Sequence, residues 1–209
     1  MNPYRLYLVT DDQQDIDTLK MVVAEAVAGG VTMVQVREKH GDVRAFIERA
    51  QAVKAILQGT GVPLIINDRV DVALAVDADG LHLGQSDMPA DIARQLIGEQ
   101  KILGLSVENE QQLVDAEAMP VDYLGLSAIF ATPTKTNIKK AWGIEGLTKA
   151  VAQSSFPIVA IGGINETNLA AVIATEVDGV ALVSAICHAP SPKQAASDLL
   201  IALSHPTVH

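Results

Sequence analysis

The chain has 209 residues, 49% of them hydrophobic, 19% charged and only 3% aromatic, with 15 Lys plus Arg against 25 Asp plus Glu, for a formal net charge of −10. That apolar fraction excludes a disordered chain. The acidic balance and scarce aromatics argue against a nucleic-acid surface or a stacking platform for single strands.

Short runs rich in Val, Ile and Leu alternate with stretches of helical spacing. Leu6–Val9 is followed by a helical pattern over Asp17–Ala28, which stops at Gly29-Gly30. Met33–Val36 precedes Val43–Leu57; Leu64–Ile66 precedes the shorter piece Asp71–Val76; Gly80–Leu83 precedes Asp91–Ile97. Ile102–Leu105 leads to Asn109–Met119, and Tyr123–Leu126 leads to Glu145–Ser154. Ile158–Ile161 leads to Asn165–Thr175, with Asn165 as a cap, and Gly179–Val183 leads to Pro192–Leu203, with Pro192 suited to a first helical turn. The apolar runs are too short for helices and too continuous for half-exposed strands, as expected of parallel strands covered on both faces.

Eight such strands with about as many helices predict an α/β fold: a single-domain (β/α)8 TIM barrel over residues 1–209, with 204–209 as a short polar tail. A doubly wound open sheet is the rival, but no G-x-G-x-x-G follows the first strand. The lone cysteine, Cys187, excludes an intrachain disulfide or a cysteine-built zinc site and points to a reducing compartment. No apolar run approaches the roughly 18 residues that span a bilayer, and Met1 to Asp12 does not read as a signal peptide. A cytoplasmic protein without membrane or nucleic-acid partners is expected; oligomeric state is not legible.

In a barrel, chemistry gathers where strands end. The second run ends in Gln35-Val36-Arg37-Glu38-Lys39. Arg37 and Lys39, two apart, can face one way and suit a phosphate or pyrophosphate, or can form a rim salt bridge with Glu38 or a neighbour. Asn67-Asp68-Arg69 follows the third run, and Gly84-Gln85-Ser86-Asp87 follows the fourth. Asp68 and Asp87 end neighbouring strands and can hold Mg²⁺, or each can cap the helix after it; spacing alone leaves both open. Ser106 follows the fifth run. Gly162-Gly163 after the seventh is a bare turn that can cradle a phosphate, with Val183 and Ser184 beside it, or a close-packing turn. Thr132, Pro133, Thr134 and Lys135 lie in a connection long enough for a binding loop. His82, inside an apolar run, reads as a packed, hydrogen-bonded residue rather than a ligand. His40 has no partner motif, and His188, His205 and His209 read as surface. There is no nucleophile elbow or triad spacing.

Five segments, Gln35-Val36-Arg37-Glu38-Lys39, Ile66–Asp71, Gly80–Asp87, Thr132-Pro133-Thr134-Lys135 and Ala160–Ile164, together resemble the thiamine-phosphate synthase family, in the same order and across about Leu6 to Ala196. The resemblance implies a TIM-barrel transferase of thiamine biosynthesis acting on two small phosphorylated substrates. These would be 4-amino-2-methyl-5-pyrimidinylmethyl diphosphate and 4-methyl-5-hydroxyethylthiazole phosphate or its carboxylated precursor. By motif, Gln35, Val36, Arg37, Glu38, Lys39, Asn67, Ser106 and Lys135 would hold the pyrimidine diphosphate. Asp68 and Asp87 would bind Mg²⁺, and Thr132, Pro133, Thr134, Gly163, Val183 and Ser184 would hold the thiazole phosphate. Arg37, Lys39, Ser106 and Lys135 would be the catalytic set. The pattern departs at Glu108, where a histidine is expected, at Ala128, where a proline is common, and over Thr136 to Trp142. Alternatives are a thiazole tautomerase on the same barrel, another phosphate-handling isomerase or epimerase barrel, and a non-catalytic phosphate-ligand sensor. The tautomerase would need neither a diphosphate clamp nor a metal.

Overall fold

In the computed structural model, residues 2–131 and 141–204 are described. Eight parallel strands close into a barrel in chain order: β1 (Leu6–Val9), β2 (Met33–Val36), β3 (Leu64–Asn67), β4 (Gly80–Leu83), β5 (Ile102–Val107), β6 (Tyr123–Ser127), β7 (Ile158–Ile161) and β8 (Gly179–Leu182). Around them run α1 (Ile16–Ala28), α2 (Val43–Leu57), α3 (Val70–Ala75), α4 (Ala90–Ile97), α5 (Glu110–Ala116), α6 (Gly143–Gln153), α7 (Leu169–Ile173), α8 (Ser184–Cys187) and α9 (Pro192–Ser204). The apolar runs are buried strands, as their continuity predicts.

Alternation along each strand builds two cores. Leu6 and Leu8 face outward into a shell shared with the helices, which also takes Val34, Val36, Leu64, Ile66, Leu81, Leu83, Leu103 and Leu105. Tyr7 and Val9 face inward and pack with Met33, Ile65, Tyr123, Val159 and Ala181 inside the barrel. The barrel is thus filled rather than hollow, and ligands are confined to its carboxyl mouth.

Caps set where the helices begin. Asp15 accepts from the Thr18 N–H (2.8 Å), Asp42 from Ala45 (2.9 Å) and Asn109 from Gln112 (3.0 Å). The helix predicted from Asn165 to Thr175 is shorter. Asn165 accepts from the backbone and hydroxyl of Thr167 (2.9 and 2.6 Å), and its own turn delays α7 until Leu169. The segment predicted as strand to Val183 leaves the sheet after Leu182 and turns into the short α8, which the sequence reading did not anticipate. Among the described residues no helix is long and apolar enough to cross a membrane.

Candidate active site

The ends of β2, β3 and β4 bring charge together. The β2 end is held from β1: Thr10 accepts the Arg37 N–H (3.1 Å), and Asp12 accepts the Lys39 N–H (3.0 Å) and bonds His40 Nδ1 (2.8 Å). Burial alone would raise the Asp12 carboxyl, but the hydrogen bonds from Gln13, Lys39 and His40 outweigh it and hold it at about 2. The Lys39 ammonium reaches the Asp68 carboxylate in an ion pair. Asp68 itself has φ +63°, the left-handed region that Asp tolerates better than most residues. Its N–H bonds the His82 carbonyl (2.8 Å), tying the β3 end to β4.

Asp87 stands beside Asp68. Its Oδ2 accepts from the Gly84 N–H (2.7 Å). Burial pushes its carboxyl up, and a hydrogen bond with Asp68 and the charge of Asp68 add to that; the Gly84 N–H and Lys39 pull the other way. Neither acid caps a helix: α3 starts behind Arg69 and α4 behind Pro89, both without a side-chain cap bond. The structure therefore decides against the capping alternative and leaves two adjacent carboxylates with one lysine between strands.

Not every residue of the β2 motif points into this mouth. The Val36 side chain lies in the outer core. The Glu38 carboxylate turns outward to Arg49 Nε (2.6 Å), where burial raises it and Arg49 draws it back. Of the rim salt bridges weighed from sequence, Glu38 makes none with Arg37 or Lys39 but pairs with Arg49, while Lys39 pairs with its neighbour Asp68. Val36 and Glu38 can serve a ligand only through their backbone.

Below the mouth, a chain of hydrogen bonds crosses the barrel. Gln35 Nε2 donates to Tyr7 Oη (2.7 Å), Tyr7 Oη bonds Tyr123 Oη (2.9 Å), Tyr123 Oη bonds His82 Nδ1 (2.8 Å), and His82 Nε2 bonds Ser106 Oγ (2.9 Å). His82 is packed and hydrogen-bonded, as its place in an apolar run predicts. Burial raises both tyrosines far above their ordinary value, so they stay protonated. Asn67, at the β3 end, pairs in register with His82. Tyr7 and Tyr123 escaped the sequence reading. The usable signal was glycine inside apolar strands. A Cβ at Gly104 would lie 2.2 Å from the Tyr123 ring, and one at Gly125 would lie 3.1 Å from His82 Cε1.

The β7 and β8 ends form the opposite rim. Gly162 (φ +100°) and Gly163 (φ +68°) sit against the β6 end, where Ile129 and Phe130 N–H groups bond the Ile161 and Gly162 carbonyls (3.0 Å each). Asn168 Nδ2 donates to the Gly163 carbonyl (2.8 Å). Val183 and Ser184 follow β8, with Ser184 opening α8. Thr132, Pro133, Thr134 and Lys135 lie outside the described residues. His188 pairs with Asp11 (2.6 Å). A cavity of about 710 Å³ opens elsewhere, beside α2 and β3, but its Lys54 ammonium is taken up by the Val76 and Asp77 carbonyls (2.8 Å each). The mouth, not that cavity, gathers chemistry.

Residues 6–186 match a family model described as thiamine monophosphate synthase. A thiamine-phosphate synthase of Vibrio parahaemolyticus is 76% identical over 96% of this chain and 98% of its own length. One from Albidiferax ferrireducens is 51% identical over 92% of this chain and 88% of its own. Among solved structures, a thiamine phosphate pyrophosphorylase from Pyrococcus furiosus superposes with a TM-score of 0.88 at 35% identity, covering 99% of this chain and 98% of the other.

Proposed function

The chain belongs to the thiamine monophosphate synthase family and is a transferase that makes thiamine phosphate; we propose that its two substrates meet at the carboxyl mouth of the barrel. There 4-amino-2-methyl-5-pyrimidinylmethyl diphosphate loses pyrophosphate, and the nitrogen of 4-methyl-5-hydroxyethylthiazole phosphate takes the freed carbon. One observation carries this reading: Lys39, Asp68 and Asp87 are brought together at the ends of three adjacent strands.

The bond that breaks joins oxygen to a benzyl-like carbon, and the electron-rich aminopyrimidine stabilises the cation left behind. The thiazole nitrogen already has a lone pair, so no general base is needed. The difficulty is the charge on the leaving group. Arg37 and Lys39 on the β2 end, with Lys135 by its motif, hold those oxygens. Two adjacent carboxylates that share one lysine, with Asp87 pushed up by burial and by Asp68, form a pocket short of positive charge, which fits a divalent cation. Asp68 and Asp87 would hold magnesium, which when bound supplies positive charge to the diphosphate oxygens. Gln35, Asn67 and Ser106 line the pyrimidine side. Gly163, Val183 and Ser184, with Thr132 to Thr134, hold the thiazole phosphate on the far rim. Holding both substrates in line replaces much of the entropy of their encounter. On this reading the chain is one cytoplasmic domain with a short tail, acting on two small phosphorylated molecules and not on nucleic acid.

Incubating the pure protein with both substrates and Mg²⁺ tests this: thiamine phosphate and pyrophosphate should appear in equal amounts. Isomerised thiazole without thiamine phosphate, or binding without product, would overturn it.

A further inference from the structure

From the barrel's interior we infer that Tyr7, Tyr123 and His82 are positioning residues that couple Gln35 to Ser106, so that the two ends read a 4-aminopyrimidine together and reject a 4-oxopyrimidine. The inference rests on the reading of Gln35 and Ser106 as pyrimidine contacts.

The coupling follows from counting protons along the chain. The Gln35 amide N–H donates to Tyr7 Oη (2.7 Å), and the buried Tyr7 hydroxyl pairs its own proton only by giving it to Tyr123 Oη (2.9 Å). Tyr123 then gives its own proton to His82 Nδ1 (2.8 Å). With Nδ1 accepting, a neutral imidazole carries its proton on Nε2 and donates it to Ser106 Oγ (2.9 Å). Two properties emerge at the mouth. Gln35 Oε1 is left as an acceptor, and the Ser106 hydroxyl proton is left as a donor. Reversing one end alone would aim two donors at a buried tyrosine oxygen and leave that tyrosine's own proton unpaired, so the links reverse together.

That polarity matches one heterocycle. A 4-aminopyrimidine presents an N–H donor at its amino group and a lone pair at the ring nitrogen directly across from it. Gln35 on β2 and Ser106 on β5 stand on different walls, so one can take the amino group while the other donates to that nitrogen. A 4-oxopyrimidine in its usual form presents lone pairs at both places. Whichever way the chain runs, one end then meets a like partner. Strand chemistry has been arranged around this chain: the Tyr123 ring occupies the space a Cβ on Gly104 would need, and His82 packs over Gly125.

The test is calorimetric binding of the 4-amino diphosphate and of its 4-oxo analogue, without thiazole, to the wild type and to Tyr123→Phe, Tyr7→Phe and the double variant. Each phenylalanine keeps its ring and cuts the chain, letting Gln35 and Ser106 turn independently. The preference for the amino compound should fall by about 10-fold or more in each single variant, on the scale of one unpaired buried group. The double variant should lose no more than either single one, and KM for the thiazole phosphate should not move. Unchanged preference in both single variants, or additive losses in the double, would overturn the coupling. Ser106→Ala and Gln35→Ala separate the two levels: if neither weakens binding of the amino compound, the site reading itself fails, and the inference with it. The two phenylalanine variants cover one another should either fail to fold.

Discussion

The Lys39 ammonium is paired with the Asp68 carboxylate, across the ends of β2 and β3, and Asp87 lies against the same carboxylate from β4. In the absence of ligand, one lysine offsets a pair of acids. In the proposed reaction an entering diphosphate draws that lysine to its oxygens, and the acids then need another cation. The Lys39→Ala variant should therefore bind Mg²⁺ alone more tightly than the wild type, because a competing charge is gone. Turnover should fall about 100-fold or more, the scale of losing one charge-stabilising group. Calorimetry of the metal and steady-state kinetics measure the two effects; weaker Mg²⁺ binding in the variant would contradict the account.

Asp87→Ala should remove turnover while sparing the fold. Burial and Asp68 both push its carboxyl up, so its surroundings disfavour the charged side chain, which therefore does not anchor the barrel. The expected loss in kcat/KM is at least about 100-fold, with a melting temperature equal to or above that of the wild type. Wild-type activity in this variant would remove Asp87 from the site.

Gly163 adopts φ +68°, and a Cβ there would come within 2.8 Å of Phe130 Cβ and 2.9 Å of the Ala131 carbonyl oxygen. Gly163→Ala should cost about 1–3 kcal/mol of stability from the strained backbone alone. If the turn holds the thiazole phosphate as proposed, KM for the thiazole phosphate should rise several-fold while KM for the pyrimidine diphosphate stays put. Chemical unfolding and two substrate titrations check both halves.

These residues also show what could be read in advance. Strands β1, β2, β4 and β7 follow their apolar runs from first residue to last, since a strand buried on both faces leaves a continuous apolar signature. Asp68 and Asp87 were legible as acids at strand ends. Their contact was not, since it depends on the left-handed turn at Asp68 and on the Gly84 N–H that positions Asp87. The outward turn of Glu38 was hidden for a similar reason: Arg49 lies a full loop later, on α2. Tyr7 and Tyr123 looked like ordinary strand aromatics, because inward and outward faces of a buried strand are equally apolar in sequence. Only Gly104, which makes room for the Tyr123 ring, and Gly125, which lies under His82, mark the inner face.

Asp12 gives a prediction in pH. Its side chain is 8% exposed, and hydrogen bonds hold its carboxyl at about 2 against an ordinary 3.8. A depressed folded value means the stabilisation is fully present above the ordinary value and is lost as pH falls through the folded one. Asp12→Asn should be less stable than the wild type at neutral pH, by at most about 2.5 kcal/mol. The gap should close as pH falls from 3.8 toward about 2. Urea unfolding across that range measures it; a gap that persists at the acid end would mean that Asp12 acts through packing alone.

The most direct test of the account is the coupling reaction itself with divalent metal present and removed. With both substrates and Mg²⁺, the protein should release thiamine phosphate and pyrophosphate one for one; after exhaustive chelation, turnover should stop and return when Mg²⁺ is restored. Full turnover in the chelated protein would contradict the assignment of Asp68 and Asp87 as metal-holding carboxylates.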